Sequence, residues 1–100
     1  MILEYLRCNA TSRESAILSI NQRVRNFRID LAEIQKDFNN ETCDCCKERI
    51  YLKYHKLLAK TEPWVKAIYR NEKTAEEVWD RFLELHKADR DFWNSFNKGA

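Results

Sequence analysis

The chain has 100 residues, with 18 Lys and Arg against 16 Asp and Glu, one Gly, one Pro and four Cys. That length suits one small helical domain, residues 1–100, and excludes a second folded unit, because a chain of this size buries only about two thirds of its unfolded surface. A net charge of +2 is too balanced to be an electrostatic signature for nucleic acid, and the scarcity of Gly excludes a fold of tight hairpins, leaving an all-α class.

Residues 1–10 form a short apolar lead whose Ile2, Leu3, Tyr5 and Leu6 fit either a helical turn or an extended segment. Glu4 and Arg7 interrupt it, so it does not read as a secretory signal, and no window reaches the roughly 18 apolar residues of a membrane span. A cytoplasmic setting is expected, with the cysteines as thiols and with Asn9-Ala-Thr11 and Asn40-Glu-Thr42 matching the glycosylation pattern by coincidence.

Thr11-Ser-Arg-Glu14 reads as a capping box that starts a long helix over about 12–39. Its apolar residues recur as Ile17, Ile20, Val24, Phe27, Leu31, Ile34 and Phe38, the alternating three and four spacing of a coiled-coil seam. Asn39-Asn40 is expected to stop it, since Asn tolerates the left-handed conformation of a helix end. A second helix, about 42–60, presents Cys43, Cys46, Ile50, Tyr54, Leu57 and Leu58, and the short link makes the two run antiparallel. Pro63 opens a short third helix, about 62–70, that carries Trp64, Val65 and Ile68 inward. Thr74-Ala-Glu-Glu77 caps a last helix, about 75–97, with Val78, Trp79, Phe82, Leu85, Phe92, Trp93 and Phe96 on one side. Gly99 and Ala100 are expected to fray.

Few residues carry candidate chemistry. Cys43-Asp-Cys-Cys46 contains a zinc spacing, but Cys8 and His55 lie too far along their helices to complete a shell, leaving His86 or a second chain. The pair reads better as small buried hydrophobes, with a redox-active thiol as a further alternative and no metal or cofactor expected. His86 and Asp89, three apart within an aromatic face, suit a His oriented by a carboxylate, yet no nucleophile stands in register, so a structural hydrogen bond or an interface spot is expected. Arg23, Arg25 and Arg28 with Lys53 and Lys56 make a basic strip for phosphates, diluted by Asp30, Glu33 and Glu48.

Leu18 and Ile29 fall eleven residues apart on one meridian of the long helix, away from the seam. With Trp64, Trp79, Trp93 and Phe96 they are the expected partner-binding residues, since aromatic side chains commonly anchor protein interfaces. The function expected is that of a non-enzymatic interaction module, an adaptor, inhibitor or assembly factor, with inhibitors of the phage or mobile-element kind among its forms, binding a protein or itself. A nucleic-acid-binding regulator using the basic strip is the alternative. The first helix outruns the second by roughly 15 Å at about 1.5 Å per residue, which leaves Ile17 and Ile20 to be covered. The last helix or an antiparallel second copy, with Arg23 near Asp37 of the partner chain, is expected there.

Overall fold

The structure, a computed structural model, describes residues 2–98, excepting the side chains of Trp93, Phe96, Asn97 and Lys98. Among the described residues it holds five helices and no strand: α1 (Ile2–Asn9), α2 (Arg13–Asn40), α3 (Asp44–Lys60), α4 (Pro63–Tyr69) and α5 (Ala75–Lys98). The all-α bundle follows from the composition, and no helix is long and apolar enough to cross a membrane. Gly99 and Ala100, expected to fray, lie outside the described residues.

The apolar lead is a helix. Leu3 and Leu6, one turn apart, are buried where α1 meets α2 and α5. The cap of α2 is Ser12, one residue beyond the expected Thr11: its extended backbone lets the hydroxyl accept from the Ser15 N–H at 3.1 Å. At the far end α2 runs through Asn40 into Glu41, whose backbone is extended (φ −86°, ψ 135°). The expected left-handed Asn is therefore not the stop there. The Glu41 carboxylate accepts from the N–H groups of Thr42 and Cys43, both at 3.1 Å, and holds the link extended.

Cys43 is the N-cap of α3, which starts two residues later than expected. The Thr61 hydroxyl donates back to the Leu57 carbonyl at the end of α3, and Pro63 opens α4 behind Glu62. Asn71, with φ 61°, supplies the left-handed stop after α4. Its N–H donates to Ile68 O and the Glu72 N–H donates to Ala67 O, both at 3.0 Å, the two bonds of a Schellman ending. Half of the second capping box is present: the Glu77 N–H donates to Thr74 Oγ1 at 3.2 Å.

Two apolar clusters share α2. The first joins Leu3 and Leu6 of α1, Ala16 and Ile20 of α2, and Ala75, Val78 and Trp79 of α5. The second joins Val24 and Phe27 of α2 to Leu57 of α3 and Val65 of α4. Trp64 and Ile68 of α4 pack against both, so this short helix wedges the two together. The molecule measures 65 × 30 × 23 Å. Ile20 is fully buried: of the two covers expected for this part of the seam, the last helix is the one present, and α1 joins it.

Candidate binding groove

Beyond Phe27, the seam of α2 continues with Leu31, Ile34 and Phe38. These meet Ile50, Tyr51, Tyr54 and Leu58 of α3 in an open groove of about 480 Å³, closed at one side by Lys66, Tyr69 and Arg70. That volume lies within the range of ligand sites. The groove exists because α4 has only seven residues: Val65 seals Phe27 and Leu57, and no helix follows to seal the rest. Phe38 keeps 39% of its surface exposed and Tyr51 54%.

Both charged residues lining the groove, Lys66 and Arg70, are cations. Two further cations sit over aromatic rings of its wall: Arg28 lies 5.6 Å from the Tyr69 centroid, and Lys47 5.8 Å from that of Phe38. The Lys66 ammonium donates to the Leu58 carbonyl at 3.3 Å, tying α4 to the end of α3. Tyr69 stands edge-on to Phe27 at 5.4 Å, and Tyr51 edge-on to His55 at 4.4 Å. Among the described residues, no carboxylate, thiol or imidazole lines the groove. Chemically it offers an apolar, aromatic bed with positive charge along its margin, which suits an apolar group carried beside a negative one.

The sequence-predicted residues fall in several places. Leu18 and Ile29 are exposed, at 70% and 49%, on the side of α2 opposite the seam and away from the groove. Trp79 is buried in the first cluster and Trp64 is half-buried between the two, its indole N–H donating to the Glu62 carboxylate. The expectation that Trp79 contacts a partner is thereby corrected: a ring that size beside Ala16 and Ala75 fills the space two small residues leave. The side chains of Trp93 and Phe96 lie outside the described residues.

The basic strip is not assembled. At about 100° per residue, Arg23 and Arg28 flank the seam on opposite sides, and Arg25 shares the outer face with Leu18 and Ile29. Lys53 and Lys56 share a shallow depression with Asp30 and Glu33, not with the three arginines. His86 is half-buried, edge-on to Phe82 at 4.2 Å, while Asp89 is exposed and no hydrogen bond joins the two. The expected His–Asp bond is corrected because α5 has by then run past Phe82, and both polar groups reach water.

Cys43 is exposed and Cys46 half-buried, which corrects the reading of that pair as buried hydrophobes, while Cys45 is exposed. With α3 starting at Asp44, Cys43 lies ahead of the helix, where α2 is ending and little remains to pack on. No group of three or more His, Cys, Asp or Glu side chains that could hold a metal ion occurs among the described residues.

Sequence reasoning assigned Ile34, Phe38, Ile50 and Tyr54 to mutual packing and passed over Tyr51, Tyr69 and Arg70. The available signal was arithmetic: a short α4 cannot roof the combined length of α2 and α3. The chain matches no family model, no curated protein and no solved structure.

Proposed function

We propose that the protein is a non-enzymatic interaction module, an adaptor, inhibitor or assembly factor, that docks a partner protein in the groove between α2, α3 and α4. The observation that carries this reading is an aromatic groove of about 480 Å³ whose charged lining residues are both cations. Such a bed fits an amphipathic helix whose apolar residues enter the groove while Asp or Glu side chains meet Lys66 and Arg70. Tyrosine supplies large contact area at low entropic cost, and Tyr51, Tyr54 and Tyr69 all line the groove. A lining of apolar, aromatic and cationic side chains supports a binding role. The cytoplasm is the compartment proposed with this reading, since unpaired thiols are the ordinary state there.

A photo-crosslinking residue at Tyr51, and separately at Leu18, tests the reading in host lysate. The expected result is a protein adduct at Tyr51 that survives nuclease and disappears when Lys66→Glu and Arg70→Glu are added. Adducts only at Leu18, or adducts at Tyr51 indifferent to the charge reversals, count against it.

A further inference from the structure

The link between α2 and α3 holds a second arrangement, independent of the groove. Cys43 is the N-cap of α3, with extended backbone (φ −85°, ψ 125°), and Cys46 follows in the first turn. Side chains three apart on a helical turn are neighbours, and a disulfide needs Cα atoms about 4.4–6.8 Å apart, a spacing this turn supplies. The Lys47 N–H donates to the Cys43 carbonyl at 2.9 Å, which closes the first turn of α3 around the pair. They differ in access, since Cys43 is exposed and Cys46 half-buried.

They differ in acidity as well. The Cys46 backbone N–H, then the Cys46 thiol and the Cys45 backbone N–H, hold the Cys43 thiol below its ordinary value, against the opposition of Glu41. The same contact with Cys43, together with its charge and that of Glu41, pushes the Cys46 thiol up, with Arg49 working the other way. A thiolate is the nucleophilic form of cysteine. The arrangement thus places one accessible attacking sulfur beside one sheltered thiol within its reach.

We infer that Cys43 and Cys46 form a redox-active dithiol that exchanges with the disulfides of low-molecular-weight thiols, Cys43 attacking and Cys46 resolving. In the first step the Cys43 thiolate bonds to one sulfur of the substrate disulfide, whose S–S bond breaks, and the departing thiolate takes a proton from water. In the second, Cys46 releases its proton to water and bonds to the Cys43 sulfur, and the mixed disulfide breaks to expel the second substrate thiolate, which is protonated in turn. Two cysteine thiols are oxidised to one disulfide, and one substrate disulfide is reduced to two thiols. Exchange of this kind proceeds through such a mixed intermediate. Transient disulfides in a reducing compartment are commonly catalytic or redox-sensing.

The 100-residue chain carrying Cys8→Ser and Cys45→Ser, with only the pair left, tests this against glutathione disulfide. The expected product has lost both free thiols and gained no glutathione. Adding Cys46→Ser stalls the chain with one glutathione on Cys43, whereas Cys43→Ser in place of Cys46→Ser reacts about tenfold or more slowly. Circular dichroism confirms that each variant keeps its helices. Two glutathiones on the pair, a stable mixed disulfide that never closes, or equal rates for the two single-thiol variants overturn the inference.

Discussion

Ile20 and Phe38 stand eighteen residues apart, five full turns of α2, and so face the same way along one apolar seam. Ile20 is fully buried, while Phe38 keeps 39% of its surface in water. Hydrophobicity does not separate them, since both are strongly apolar; the number of helices around each does. At Ile20 the seam is gripped by α1 and α5, with Trp64 of α4 packed against the same cluster. At Phe38 only the start of α3 is near, and Lys47 lies over the ring. A periodic sequence sets which face of a helix is apolar, and the lengths and connections of its neighbours set how much of that face is closed.

Substitution at the two positions tests the contrast most directly. Ile20→Ala removes a side chain that has no room to relax and is expected to cost about 3 kcal/mol, in the range for buried aliphatic truncations. Phe38→Ala removes a larger ring but one already half in solvent, and is expected to cost only about 1 kcal/mol. Urea midpoints at matched slopes measure both. Equal losses would show that the open end is packed as firmly as the closed one.

Trp64 touches both clusters, so Trp64→Ala is expected to cost about 2 kcal/mol and to couple with Ile20→Ala by about 0.5 kcal/mol or more in a double-mutant cycle. Strict additivity of the two would mean that α4 belongs to one end alone.

The helix starts sharpen the comparison at smaller scale. α2 and α5, which build the closed end, begin with hydroxyl caps from Ser12 and Thr74. α3 and α4, which build the groove, begin at Cys43 and Glu62 with no side-chain cap bond. Thr74→Ala is therefore expected to lose about 1 kcal/mol, and Cys43→Ser to gain about 0.5 kcal/mol by adding the missing cap. Thermal melts of both variants read the signs; a loss on Cys43→Ser would show that the thiol already serves α3 better than a hydroxyl does.

Much of this fold is legible in the sequence. Periodicity located α2 to within a residue at each end, because seven apolar positions in unbroken three and four steps admit no other structure. Thr74 and Pro63 marked two helix starts through side chains that act locally. What was not legible was set by tertiary contact. Nothing in Ile2-Leu-Glu-Tyr-Leu6 decides between helix and strand until α2 and α5 supply a surface. Thr11 and Ser12 offer the same hydroxyl, and only the folded backbone shows that the Ser12 oxygen takes the Ser15 N–H. Trp79 looked like an anchor because it is large and aromatic, yet Ala16 and Ala75 leave the space that buries it. The groove was hidden for the converse reason: its residues look like core, and only the shortness of α4 leaves them open.

The smallest expected effect concerns how the closed end is latched. Arg13 in the first turn of α2 donates twice to Asp80 of α5, at 3.2 Å through Nε and 3.0 Å through Nη2. Both side chains are more than half exposed, so water and salt screen the pair and its contribution is small. Its sign with pH is nonetheless fixed. The Arg13 hydrogen bond, and with it the Arg13 charge, holds the Asp80 carboxyl below the usual carboxylate range. Around and below that range the unfolded chain binds more protons than the folded one, so the contribution is complete above the ordinary carboxylate pKa and is lost as pH falls through the lower folded value. Arg13 itself is raised from an already high value by the Asp80 hydrogen bond and charge, which matters only in strong alkali. Arg13→Met, which keeps much of the aliphatic stem, is expected to melt slightly below the parent chain near neutral pH in low salt. The two melting curves should converge as pH drops below the carboxylate range, and converge at neutral pH when salt is raised. Curves that stay parallel from neutral pH to strong acid would mean that the pair contributes nothing, and that α2 is held to α5 by the Ile20 and Trp79 contacts alone.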